Sequence, residues 1–135
     1  MTATDPLIGQ RLGGYRLVAP LGRGGMATVY RAREVETGAD VALKVLPLDL
    51  LSDPADATRF EHEAELASRL HHPHIVGVLG AGRDGGHLYL AMELVEGESL
   101  RQRLRRDGRL PTGEALRLAA QVLEALVAAH AHQIV

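Results

Sequence analysis

The chain is predicted to be an α+β domain in which a sheet is laid down first and helices follow. Three observations lead there. Short β-branched or aromatic runs divided by glycine clusters fill the first half, one helical stretch interrupts them, and beyond Gly97 only helical patterns remain. With 135 residues, 46% of them hydrophobic, there is enough material for a real core.

The elements follow in order. Tyr15 to Leu21 and Thr28 to Arg33 flank a glycine cluster, and Asp40 to Leu46 follows the turn-like Glu36-Thr37-Gly38, so three antiparallel strands are the economical reading. Ser52-Asp53-Pro54 supplies a capping side chain and a first-turn proline, starting a helix that runs to about Leu70 before His72-Pro73 stops it. Ile75 to Ala81 and His87 to Met92 are two more strands around Gly82 to Gly86. The sum is a five-stranded antiparallel sheet with one covering helix. Ser99 to Arg106 then reads as a short helix and Thr112 to His132 as a long one.

The long helix carries only a narrow polar stripe. Glu114, Arg117, Gln121 and Glu124 recur at helical spacing and cover about a quarter of the circumference; most of the rest is Ala, Leu and Val. A helix apolar on most sides belongs in a core, and the preceding elements already account for one another. The chain is therefore expected to be the front portion of a larger domain, or else to cover this helix by self-association.

Charge and composition exclude several classes. A net charge of −2 gives no electrostatic case for nucleic acid or an anionic membrane. The arginines between Arg101 and Arg109, interrupted by Leu104 and Asp107, suit a solvated helix face. Without cysteine there is no disulfide, thiol chemistry or Cys-ligated metal. Neither a signal peptide nor a membrane-spanning run is legible, and a cytoplasmic location is expected, with anchoring of a parent protein through a later segment left open.

Lys44 stands out because it is the only lysine among 15 basic residues. A compact ammonium in a chain that elsewhere uses arginine suggests a site needing a point charge, and nucleotide phosphates are such a partner. Gly22, Gly24 and Gly25 lie in a turn between strands, where backbone N–H groups can come close to phosphate oxygens. A Walker loop would need Lys beside Ser or Thr after the glycines, and a dinucleotide fingerprint would lead into a helix; neither holds here. Strand alternation puts Ala42 and Lys44 on one face, leaving room for a flat base beside the cation. On the helix from Pro54, Phe60, Leu66, Ala67 and Leu70 fall within about 60° of Glu63, while Glu61 and Glu65 lie about 160° away. Glu63 is thus expected at the centre of the apolar face. Lys44 and, one turn back, Arg59 are its available partners, and the buried setting favours Lys44.

These motifs together resemble the N-terminal lobe of a bacterial Ser/Thr protein kinase of the eukaryotic-like family. LGRGGMATVYRAR resembles the Gly-rich loop over ATP, VALK the phosphate-anchoring strand, RFEHEAE the helix with the paired glutamate, HHPHIV the following loop, and LYLAMELVEGESL the last strand and hinge. The match runs from Gly9 onward. The resemblance implies a kinase-like fold with an extension over residues 1–14, an ATP-binding lobe over 15–92, a hinge over 93–97 and the start of a helical C-lobe over 98–135, ending before the catalytic loop. It implies that Leu21, Gly22, Arg23, Gly24, Gly25, Met26, Ala27, Thr28 and Val29 cover ATP, with Ala27 where the motif often has its third glycine. It also implies that Lys44 and Glu63 are the catalytic pair, Val29 and Ala42 flank the adenine, Met92 is the gatekeeper, Glu93 and Val95 bond the adenine edge, and Ser99 lies near the ribose. The histidines His71, His72 and His74 read as a helix-ending loop, and no metal ligand is expected among these residues. The base Asp and the Mg²⁺ ligands of the family are absent from the sequence. The expected activity, phosphoryl transfer from ATP to protein Ser and Thr hydroxyls with Mg²⁺, belongs to the complete kinase with its C-lobe, and the 135-residue chain is expected to be inactive. A nucleotide-binding pseudokinase scaffold and a truncated interaction fragment are the alternatives.

Overall fold

The computed structural model describes residues 5–134. The described residues form two compact units: one holds residues up to Arg69 together with Gly77–Leu94, the other Leu70–Val76 and the described residues from Val95 onward.

The first unit is a six-stranded antiparallel sheet with one helix. Its strands are β1 (Arg11–Leu12), β2 (Tyr15–Gly24), β3 (Ala27–Glu34), β4 (Asp40–Pro47), β5 (Val78–Asp84) and β6 (His87–Glu93), in the spatial order β1-β2-β3-β4-β6-β5. The five expected strands are present, and β1 adds an edge. The residues expected to form an extension before Tyr15 therefore contribute to the sheet, and Leu12 is buried there.

Alternation sorts β4. Val41, Leu43 and Val45 point to a core shared with Leu12, Leu17, Tyr30, Ala32 and Ala91, while Ala42 and Lys44 point to the opposite face. Leu7, Ile8, Tyr15 and Tyr89 pack on the core side. The Tyr89 ring meets Tyr15 edge-on at 5.9 Å between centroids. It also lies so close to Gly82 that a Cβ there would sit 2.6 Å from its hydroxyl oxygen, so the ring's seat requires glycine.

Two boundaries differ from the sequence expectation. The glycine stretch is mostly ladder: Gly22, Arg23 and Gly24 pair with Val29, Thr28 and Ala27, leaving only Gly25 and Met26 as the turn. Gly25, at φ +57, takes the left-handed conformation that such tight turns use. The strand expected from Ile75 begins only at Val78, because Ile75 closes a turn onto the His72 carbonyl and the Gly77 amide donates to the Glu93 carboxylate at 2.7 Å.

The helix α1 (Pro54–Ser68) begins as read: Asp53 accepts a hydrogen bond from the Ala55 amide at 2.9 Å, with Pro54 in the first turn.

The second unit contains α2 (Leu100–Asp107) and α3 (Thr112–Ala131). Ser99 and Gln102 form a reciprocal capping box at the start of α2. The Arg103 guanidinium grips Glu114 of α3 with two donors. That contact holds the Glu114 carboxyl below the usual range and raises Arg103 further. No residue of either helix is buried. Leu116, Val122, Leu123 and Val127 of α3 are more than half exposed. Among the described residues no helix is long and apolar enough to cross a membrane.

Candidate functional site

Side chains directly opposite one another across a ladder share a face. On the face away from the core, two adjacent rows follow from the register: Val29, Lys44 and Leu90, then Arg31, Ala42 and Met92. Four residues singled out in the sequence, Val29, Ala42, Lys44 and Met92, are thereby gathered on one side of three neighbouring strands. Ala42 adds almost no bulk beside Lys44, which is what a flat ligand would need. Lys44 itself is exposed and has no ion pair within the described residues.

The glycine hairpin continues β2 and β3 beyond these rows. A Cβ at Gly22, Gly24 or Gly25 would meet no atom within 4 Å. Only Gly25 is required by the backbone, through its positive φ; Gly22 and Gly24 have neither that conformation nor a crowded neighbour. Their lack of side chains therefore answers no crowding inside the fold and leaves room for a ligand to come close to the hairpin backbone. Leu21, Arg23 and Met26 are exposed, Ala27 is buried and Thr28 half-buried. On these observations the residues present fit a polyphosphate held by the hairpin and Lys44.

At the end of β6, Glu93 is tied to the loop before β5, its amide donating to the Gly77 carbonyl at 2.9 Å and its carboxylate accepting from the Gly77 amide. Val95 is exposed. Ser99 has a structural task, its hydroxyl accepting from the Gln102 amide at 3.1 Å as the cap of α2.

The expectation for Glu63 needs correction. The buried residues of α1 are Ala57 and Ala64, whereas Glu63 is exposed and Leu66 is 41% exposed. No ion pair joins Glu63 to Lys44, and Arg59 pairs instead with Asp56 at 3.1 Å. The physical reason lies in the size of the contacting side chains. The helix approaches β5 through small residues two turns apart, which let it come closer than Phe60 or Leu66 would. Glu61, placed on the far side by the sequence reading, shares the Ala57–Ala64 face and forms an ion pair with Arg83 of β5, which also donates to the Thr58 hydroxyl at 3.1 Å.

Among the histidines, His72 and His74 meet edge-on at 5.5 Å and the His74 Nε2 lies 3.5 Å from Glu124. No group of three or more metal-ligating side chains gathers among the described residues.

Sequence reasoning missed one more cluster. The Tyr30 hydroxyl donates to the Asp5 carboxylate, which also accepts from the Leu7 amide at 2.9 Å. The Tyr30 bond holds Asp5 below the usual carboxylate range, while burial and then Asp5 push the Tyr30 phenol up to about 12. The only hint in the sequence was the apolar pair Leu7-Ile8 ahead of the first strand.

Comparison with known proteins bears on the family and the fold. The protein kinase domain family matches residues 15–135. The chain is 44% identical over 129 residues to the serine/threonine-protein kinase pkn3 of Myxococcus xanthus, covering 94% of this chain and 24% of that protein. It is 39% identical over 130 residues to the serine/threonine-protein kinase PrkC of Bacillus subtilis, covering 96% and 20% respectively. A crystal structure of the PknI kinase domain from Mycobacterium tuberculosis superposes with a TM-score of 0.83 at 34% identity, covering 98% of this chain and 53% of that one. The chain thus spans about a quarter or less of these curated relatives and about half of that solved domain. By sequence and fold together, the chain belongs to the protein kinase domain family, in its bacterial Ser/Thr branch.

Proposed function

We propose that this chain is the ATP-binding portion of a Ser/Thr protein kinase, a transferase that moves the ATP γ-phosphate to protein Ser or Thr hydroxyls when complete. The observation that carries the reading is Lys44: the solitary lysine, exposed, without an ion pair among the described residues, in the row beside Ala42 and next to the glycine hairpin. In this reading Gly22 to Thr28 cover the phosphates, Lys44 neutralises their oxygens, and Val29, Ala42 and Met92 line the base, with Leu21, Glu93, Val95 and Ser99 completing the contacts. ATP supplies the phosphoryl group, and Mg²⁺ accompanies it through ligands that the 135 residues do not include. Residues 15–92, 93–97 and 98–135 serve as lobe, hinge and start of the helical lobe. Glu63 meets Lys44 only after α1 shifts from its present seat on β5, a movement that the family resemblance of RFEHEAE supports.

The test separates binding from turnover. Equilibrium titration with ATP or ADP should show binding by the 135-residue chain and its loss in Lys44→Ala. Labelled ATP, Mg²⁺ and a generic protein substrate should show no phosphate transfer by this chain, since the base is absent; transfer abolished by Lys44→Met would contradict that. In a kinase extended through the catalytic loop, Lys44→Arg should lower activity severely, because a planar guanidinium does not replace a point charge on phosphate. Nucleotide binding without transfer in the extended protein would favour the pseudokinase scaffold instead.

A further inference from the structure

The segment before β2 lies across the core side of the sheet. Leu12 is buried there, and Leu7 and Ile8 pack against the cluster of Tyr30, Val41, Leu43 and Ala91. It is fastened along its length. At the start, Asp5 accepts from the Tyr30 hydroxyl and from the Leu7 amide. In the middle, the Gly9 amide donates to the Leu17 carbonyl at 2.8 Å, and the Leu17 amide to the Gln10 carbonyl at 2.9 Å. At the far end the Gly13 amide donates to the Asp84 carboxylate at 2.7 Å, on the other side of the sheet.

The first fastening is where the glycine hairpin needs support. The β3–β4 register ends at Thr28 opposite Val45, so beyond Thr28 the hairpin is a two-stranded ribbon with only its own ladder. Such ribbons are marginal in water. Register irregularities between Leu17 and Ala19 and between Pro20 and Gly22 interrupt the ladder just before the glycines, points at which a strand bends. Tyr30 stands two residues from Thr28, and Leu7 lines a cavity of about 370 Å³ together with Arg23, Gly25, Met26 and Thr28. The segment thus lies on the side of the hairpin opposite Lys44, joined to β3 through Tyr30 and facing the hairpin across this cavity.

We infer that Asp5 and Tyr30 are positioning residues: their hydrogen bond pins the segment 5–12 behind the glycine hairpin and restrains the hairpin's opening. Its bearing on nucleotide affinity rests on the function proposed above. Neither residue touches the phosphates in that reading. Both groups are in the required forms across neutral pH, Asp5 ionised and Tyr30 protonated.

Tyr30→Phe keeps the ring in the core and removes only the hydroxyl, and Asp5→Asn keeps an acceptor while removing the charge. Hydrogen–deuterium exchange on the 135-residue chain without nucleotide reads the hairpin directly. Exchange of the Gly22 to Thr28 amides should rise roughly tenfold in Tyr30→Phe, the weight of one hydrogen bond to a charged group, and less in Asp5→Asn. The amides of Leu43, Lys44 and Leu90 should keep their wild-type rates. Unchanged hairpin exchange in Tyr30→Phe overturns the inference, and so does a rise spread equally over β4 and β6, which would make the bond an ordinary part of the core. ADP titration of the same proteins should show weaker binding in Tyr30→Phe. A wild-type chain that binds no ADP would sink the nucleotide reading, while the exchange comparison would still decide the brace.

Discussion

The sheet unit and the helical unit are both rich in aliphatic side chains, yet they use them differently. In the first, Leu17, Val41 and Leu43 are almost wholly enclosed by strands and by the segment ahead of β2, and Leu88 is buried on the opposite face of the sheet. In the second, α3 leaves Leu116, Val122, Leu123 and Val127 in the open, with no buried residue on either helix. A polar contact joins α2 to α3, the two-pronged grip of Arg103 on Glu114. The two units therefore differ in where their apolar side chains find cover. The sheet unit closes its own core, whereas α3 carries apolar surface that would contribute only when further protein or a second copy covers it.

The largest expected effect tests that contrast. Leu43→Ala removes a side chain with no exposed surface and should cost about 2–5 kcal/mol, the range for large-to-small core changes. Leu123→Ala, at 61% exposure, should stay within about 0.5 kcal/mol. Urea unfolding of the two variants checks both. Comparable losses would mean that α3 is already covered in solution, by self-association for example, and light scattering on the same samples would show it.

The contrast also explains what was legible in the sequence. Period-2 runs and glycine turns specify strands whose partners lie within the chain, so the five strands of the sheet could be read from Tyr15 onward, and alternation put Ala42 and Lys44 together correctly. The glutamate-bearing helix was harder. Its buried face is made of Ala57 and Ala64, too small to dominate a hydrophobicity pattern, so the larger Leu66, which the fold leaves exposed, drew the reading away from that face. Asp5–Tyr30 and Glu61–Arg83 join residues far apart in sequence through single contacts, for which no periodicity exists.

A smaller effect is expected at high pH, and it belongs to the sheet unit alone. Tyr30 ionises in the folded chain at about 12 against an ordinary value of 10.0, raised by burial and then by Asp5. A raised pKa means that the folded state favours the protonated phenol. That contribution is complete below pH 10 and is lost as the pH rises from 10 toward 12. Its size is on the order of 1–3 kcal/mol. Tyr15 and Tyr89, raised chiefly by burial, act in the same direction. Tyr30→Phe should therefore flatten part of the alkaline decline in stability, followed by urea midpoints between pH 9 and 11.5. An unchanged decline would show that Tyr30 does not hold its proton in the way described.

The smallest effect on stability is expected at the residue the proposed function needs most. Lys44 is flanked by the buried Leu43 and Val45, yet its own side chain is exposed and has no ion pair among the described residues. An exposed, unpaired charge gives little to the fold, so Lys44→Met should shift stability by less than about 0.5 kcal/mol. Met also keeps an unbranched chain of similar length on the strand, which limits any change in packing. The same substitution should remove nucleotide binding, and the two measurements on one protein then set function against structure directly. If Lys44→Met instead costs as much stability as Leu43→Ala, the ammonium is engaged within the fold, and a solitary lysine would be explained by folding with no nucleotide required.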